Sequence, residues 1–147
     1  MPTNVRAIAL SDKTRWLELF AAYVTFYNSQ LTPEQYELTW KRLHSDSKIN
    51  GLIAENNGQI VGFAHYIFRP STWEVADFCY LEDLFVDPSA RGQGVGRALI
   101  KVLEDIAIAA GSKRLYWTTA PDNTTARRLY DSVAITDRVQ YKIYLNQ

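Results

Sequence analysis

The sequence predicts a single α/β domain, residues 1–147, built on a mixed, mostly antiparallel sheet with a central parallel pair and helices on both faces. Three observations carry this reading. Strand-like and helix-like apolar spacings alternate along the whole chain, whose length suits about one domain. Asn57-Gly58 joins two strand-like runs and predicts an antiparallel hairpin. A strand, a glycine-rich turn, a helix and another strand then follow one another, which predicts at least one parallel pair.

The elements follow in order. Val5 to Leu10 reads as a strand. Ser11 and Asp12 open a helix to about Asn28, with Trp16, Leu19, Phe20, Tyr23 and Val24 at helical spacing. Thr32-Pro33-Glu34 supplies an N-cap, a proline at the first helical position and an early acid, and so starts a second helix ending near Ser45. Gly51–Glu55 and Gln59–Phe68 are the hairpin strands. Arg69 to Glu74 is a break. Asp77 to Asp87 is an apolar strand that Pro88 stops. A helix runs from about Gly94 to Ala110, on Leu99, Leu103, Ile106 and Ala110, and Gly111 ends it. Lys113–Thr119 reads as a strand, Asn123–Ser132 as a short helix and Gln140–Leu145 as a last strand.

Composition narrows the function. Cys79 is the only cysteine, which excludes a disulfide framework and a cysteine-based structural zinc site. The first residues hold no long apolar stretch, and no apolar run approaches ~20 residues. The expectation is a cytoplasmic protein with no membrane segment. Net charge is zero, which argues against general nucleic-acid binding. The charge is uneven, however. Residues 1–88 carry seven Lys/Arg and eleven Asp/Glu, a net of −4, and residues 89–147 carry nine and five, a net of +4. Solvated surface explains that split as well as a site meeting an anion on one side and a cation on the other.

Arg91-Gly92-Gln93-Gly94-Val95-Gly96-Arg97 sits between strand and helix, where an anion site is built. Helix N-termini present unpaired N–H groups and about half a positive charge. Glycines let a phosphate reach the backbone, and successive amides can form a nest around its oxygens. The dinucleotide fingerprint G-x-G-x-x-G fails at Arg97, and no Lys-Ser/Thr pair completes a P-loop.

The spacing Arg91-x-x-Gly94-x-Gly96 resembles the acetyl-CoA pyrophosphate loop of the GNAT N-acetyltransferase family. The run from Tyr80 through Glu82-Asp83-Leu84-Phe85-Val86-Asp87-Pro88 into the glycines is especially similar to the polyamine (spermidine/spermine) branch. Asn123-x-x-Ala126-x-x-Leu129-Tyr130 adds a third motif, and the element order matches across nearly the whole chain. The resemblance implies that the backbone of Leu84, Phe85 and Val86 pairs with the pantetheine arm. It implies that Arg91 and the amides of Gly92, Gln93, Gly94, Val95, Gly96 and Arg97 hold the pyrophosphate. Asn123 and Ala126 would line the far side of the cofactor, with Tyr130 beside the sulfur. It also implies a homodimer. Where the family usually has a glycine and an aromatic after the tyrosine helix, this chain has Ser132-Val133-Ala134-Ile135.

Acetyl transfer to an amine needs a base, because an alkylammonium has a pKa near 10. It also needs an oxyanion donor and a proton for the departing thiolate. Glu82 is the candidate base, acting through water, and Asp83 would position a cationic acceptor. A salt-bridged pair at a strand end is the alternative. Tyr130 is the candidate general acid, against simple packing, and an amide of Leu84 or Phe85 is the oxyanion donor. His65 reads as a core histidine. Trp73, with Tyr66, Phe68 and Tyr80, suits an acceptor wall or an aromatic core. Glu34, Glu37 and Asp46 suit acceptor attraction or plain solvation. The expected activity is transfer from acetyl-CoA, with no metal, to the primary amine of a polyamine, an amino acid or a lysine-like acceptor. A non-catalytic CoA-binding module and a protein-lysine acetyltransferase are the alternatives.

Overall fold

The structure is a computed structural model that describes residues 2–45 and 48–146. Asp46 lies outside them. A five-stranded sheet runs β1 (Asn4–Ala7), β2 (Ile49–Asn56), β3 (Gln59–Arg69), β4 (Phe78–Val86) and β5 (Leu115–Tyr116), in that spatial order. The helices are α1 (Lys13–Phe26), α2 (Pro33–Leu43), α3 (Val95–Ala109) and α4 (Thr124–Val133). Among the described residues no helix is long and apolar enough to cross a membrane.

Local chemistry explains most boundaries. Thr32 Oγ1 accepts from the Gln35 amide at 3.2 Å, and Pro33 fills the position whose N–H needs no partner. Asn57 and Gly58 have φ of 52° and 77°, as a type I′ hairpin turn requires. Gly111, at φ 81°, ends α3. Ser11 does not cap α1. Asp12 is instead buried in an ion pair with Arg6 at 2.7 Å and accepts from the Ala9 amide, so a short 3-10 turn (Leu10–Asp12) precedes the helix. The Arg6 hydrogen bonds hold the Asp12 carboxyl below its ordinary range.

Two apolar layers cover the sheet. Trp16, Leu19, Phe20, Trp40, Leu43, Ile53, Phe63 and Phe85 pack on the α1/α2 side. Ala54, Ala64, Tyr66, Cys79, Leu81, Leu99 and Leu103 pack on the α3 side. Gly62 permits the close approach of α3 to the sheet: a Cβ there would lie 2.9 Å from the Phe85 carbonyl oxygen and 3.2 Å from Val95.

The strands pair antiparallel from β1 to β4, and β4 pairs parallel with β5. The fold class is therefore the expected one, with two differences. The strand expected over Lys113–Thr119 is reduced to two paired residues. The strand expected over Gln140–Leu145 does not form. Val139, Tyr141, Ile143 and Leu145 alternate along a segment without regular secondary structure and are 73–92 % exposed. The parallel pair consequently stands at the edge of the described sheet, not in its middle. The alternation is that of a strand, but a strand needs a paired neighbour, and among the described residues this segment pairs with none.

Candidate active site

The glycine segment folds as a backbone cradle. Gly92 and Gly94 have φ of 78° and 80°, and a Cβ at either would meet open space. Gly94 occupies the N-cap of α3 with no side chain capping it, so the first amides of a fifteen-residue helix are left for an outside acceptor. Gly96 does something else: a Cβ there would sit 3.0 Å from Leu129 Cδ2, so this glycine lets α4 approach α3. Val95 contributes an amide only, because its side chain is buried in the α3 layer. The cations are held in place. Arg91 donates to the Val86 carbonyl at 3.3 Å and lies over the Phe85 ring. Arg97 donates to Ser132 Oγ at 2.8 Å. Gln93 Oε1 accepts from Asn56 Nδ2 at 3.0 Å, which ties the cradle to the hairpin turn.

Next to the cradle lies an open strand edge. β5 pairs only with Cys79 and Tyr80. Beyond them β4 runs on to Val86 with β3 on one side and no strand on the other among the described residues. Leu84, Phe85 and Val86 thus lie on an edge with no partner strand among the described residues. This edge and the uncapped amides of α3 could serve an extended amide arm and a pyrophosphate.

A β-bulge arranges the acids. Asp83 pairs with His65 and Leu81 with Tyr66, which leaves Glu82 as the extra residue. The bulge shifts the side-chain alternation. Phe85 packs in the α1/α2 layer, yet Leu81 and Cys79, at even spacing from it, pack in the α3 layer. Regular pleating would send Glu82 and Asp83 to opposite faces. The bulge turns both toward the α1/α2 side. Loss of solvation, then the Asp83 charge, raises the Glu82 carboxyl above its ordinary value, although its surface is open to solvent. Asp83 Oδ2 is 2.9 Å from His65 Nδ1, and Trp16 Nε1 donates to His65 Nε2 at 2.9 Å.

Tyrosines complete the site. Burial pushes the Tyr130 phenol up to about 12, with a further contribution from Tyr27. Tyr130 meets Trp117 edge-on at 5.5 Å. Tyr23, from α1, is raised by burial and then by Asp83, and it also feels Tyr130. Asp83, Tyr23, Tyr27 and Tyr130 are therefore one electrostatic cluster, joined to Glu82 through Asp83. Asn123 is first a helix cap: its Oδ1 accepts from the Ala126 amide at 3.4 Å, and its Nδ2 donates to Thr119. Ala126 is half-buried beside it. Trp73 stands 86 % exposed and Tyr66 is buried in the α3 layer, so these two do not share a wall.

Sequence reasoning missed Tyr23, Tyr27, Trp16, Asn56 and Ser132. Tyr23 on α1 and Tyr27 at its C-cap lie four apart, a spacing that signals a shared face but not which face borders a site.

A model described as the acetyltransferase (GNAT) family matches residues 16–134. Over 142 residues the chain is 36% identical to the D-amino-acid N-acetyltransferase HPA3 of Saccharomyces cerevisiae, covering 94% of this chain and 88% of that protein. It is also 36% identical over 78 residues to the thialysine N-epsilon-acetyltransferase of Bos taurus, covering 53% and 45% of the two chains. Its fold is that of the ribosomal-protein-alanine N-acetyltransferase from Brucella melitensis, with a TM-score of 0.84 at 23% identity over 98% of this chain and 100% of the other. The aminoglycoside N-acetyltransferase AAC(6')-Iy, solved with CoA, likewise gives 0.84 at 18% identity, covering 99% and 95%.

Proposed function

The chain belongs to the acetyltransferase (GNAT) family and is an enzyme, and we propose that it transfers acetyl from acetyl-CoA to the primary amine of a small cationic acceptor by direct attack. The observation that carries this reading is the bulge, which turns two adjacent acids to one side of a strand whose free edge runs into an uncapped helix N-terminus. The amino-acid substrates named for HPA3 and for the thialysine enzyme support an amine on an amino acid or a lysine-like chain.

Bound acetyl-CoA supplies the activated carbonyl and a thiolate leaving group. The amides from Gly92 to Arg97, with Arg91, would hold its pyrophosphate, and Leu84, Phe85 and Val86 would hold its arm, with Asn123 and Ala126 on the far side. Asp83 holds the acceptor cation. Glu82 takes one ammonium proton through water. A carboxylate raised toward neutrality accepts a proton more readily than an ordinary one. As the nitrogen bonds to the carbonyl carbon, the amide of Leu84 or Phe85 stabilises the developing oxyanion. The C–S bond then breaks, Tyr130 donates its proton to the sulfur, and the phenolate left behind takes the second proton from the acylated nitrogen, which leaves a neutral amide, a thiol and a reprotonated tyrosine. A phenol pushed up to about 12 is fully protonated at neutral pH, as that role demands.

A panel of amines, including D- and L-amino acids, a thialysine and a diamine, assayed by CoA thiol release tests the reading. With the best acceptor, kcat/KM should rise from neutral to alkaline pH. Glu82→Gln should lower the rate or move that limb upward. Stability should run the other way. A carboxyl raised by folding binds its proton more tightly in the native state, so the parent loses stability as pH rises through the raised value. The glutamine variant is spared that loss and should unfold at or above the parental temperature at neutral pH. Parental rate and pH profile in Glu82→Gln would remove Glu82 from the mechanism.

The chain acts as a cytoplasmic homodimer in this reading. The lone buried Cys79 suits a reducing compartment. The alternating exposed Val139, Tyr141, Ile143 and Leu145, and a β5 edge with no outer neighbour among the described residues, support an interface that uses both. Sedimentation should find a dimer, and removal of residues 136–147 should leave a monomer. A monomeric parent refutes the dimer.

A further inference from the structure

We propose that His65 is a positioning residue for the acceptor amine: its Nδ1–H fixes the Asp83 carboxylate, and Trp16 fixes the tautomer that makes this donation possible. The inference rests on the reading of Asp83 as the group that holds a cationic acceptor.

The argument starts from donor chemistry. An indole N–H donates and never accepts. Trp16 Nε1 lies 2.9 Å from His65 Nε2, so Nε2 must present a lone pair and the ring proton must sit on Nδ1. That nitrogen faces Asp83 Oδ2 at 2.9 Å. His65 is 1 % exposed and Trp16 is fully buried, so the imidazole has no solvent water as an alternative partner. Asp83 differs: its side chain retains 18 % exposure. A chain of two hydrogen bonds thus runs from the core of α1, through β3, to a carboxylate that a ligand can reach.

The fold takes trouble to make this contact. Asp83 stands opposite His65 only because Glu82 is bulged out of the register. Phe20 and Phe63 pack against the imidazole at 4.8 and 4.7 Å between centroids and leave it one orientation. A carboxylate held by a rigid donor loses less freedom when it grips an ammonium, which is how preorganisation raises affinity. A histidine that only filled the core would have no need of a donor aimed at the site.

Three measurements decide the matter. In protein with 15N-labelled histidine, the His65 resonances should show protonated Nδ1 and unprotonated Nε2. Binding of 1,4-diaminobutane in the presence of CoA, read by calorimetry, should be near parental in His65→Asn, whose amide can still donate toward Asp83. It should weaken roughly tenfold in the double variant Trp16→Phe/His65→Phe, the scale of one hydrogen bond to a charged group. The double variant leaves no orphaned donor in the core. The CoA affinity should stay parental in both. A ring protonated on Nε2, equal diamine affinity in both variants, or a matching loss of CoA affinity would overturn the proposal. A parent that binds the diamine with this dependence on residue 65 but acetylates no amine refutes the acetyltransferase reading and not the positioning role. Acetylation that proceeds with no dependence on residue 65 does the reverse.

Discussion

Gly94→Asp abolishes CoA binding while leaving the protein folded. Both halves of this expectation come from the geometry of the N-cap. The position has φ of 80°, where a side chain adds some backbone strain, but a Cβ would meet no atom within 4 Å. An acid at a helix N-terminus is moreover favourable for the helix itself. What the acid cannot share is the space. Its carboxylate would take the amides that a pyrophosphate needs and would repel the phosphates. Losing two charge-assisted hydrogen bonds costs about 3 kcal/mol or more, so affinity should fall by about 10²-fold or further. Gly94→Ala carries the strain without the charge and should lose much less. Calorimetric CoA titrations of the two variants, beside their thermal melts, check the assignment. Parental CoA affinity in Gly94→Asp would mean that the cradle holds something else.

The second large effect belongs to Tyr130. Its hydroxyl makes no hydrogen bond to another described residue, and the ring is fixed against Trp117. The proton is thus free for a ligand, and burial keeps it on the oxygen at any ordinary pH. Donation to sulfur becomes strong only as the thioester breaks, so it stabilises the transition state more than the bound substrate. Tyr130→Phe should lower kcat by about 10²-fold or more. The affinity for acetyl-CoA should barely move, since its phosphates and arm are held elsewhere. If the tyrosine serves packing alone, the phenylalanine keeps the volume and the rate. Steady-state kinetics with an identified acceptor, together with direct CoA titration, distinguish these outcomes.

Motifs whose chemistry is local were legible in the sequence. Thr32-Pro33 gives the start of α2, Asn57-Gly58 gives the hairpin, and the glycines between strand and helix give the cradle. Features set by distant contacts were not. Nothing in the local pattern around Glu82 says that one residue leaves the register, because a bulge depends on how β3 and β4 align. Tyr23 looks like any other apolar position of an amphipathic helix until α1 is laid over Asp83. The third glycine looks like part of the loop, and only the packing of Leu129 gives it a different task. The Gln140–Leu145 alternation states a propensity for a strand and cannot supply the neighbour that would realise it.

The bulge at Glu82 also acts as a phase shifter for the strand that carries it. Before it, Cys79 and Leu81 face the α3 layer; after it, Leu84 and Val86 face that layer and Phe85 turns to the α1/α2 layer, so odd positions serve one side before the bulge and even positions serve it after. The apolar residues of this strand are consistent with the fold only when the count between its halves includes the extra residue. Deleting Glu82 would therefore do more than remove an acid. It would force a choice between burying Cys79 and Leu81 where they belong and burying Phe85 where it belongs. The reading frame of the sheet and the placement of the reactive carboxylates are written in the same residue, so length changes within β4 are closed to this protein even where a substitution is tolerated.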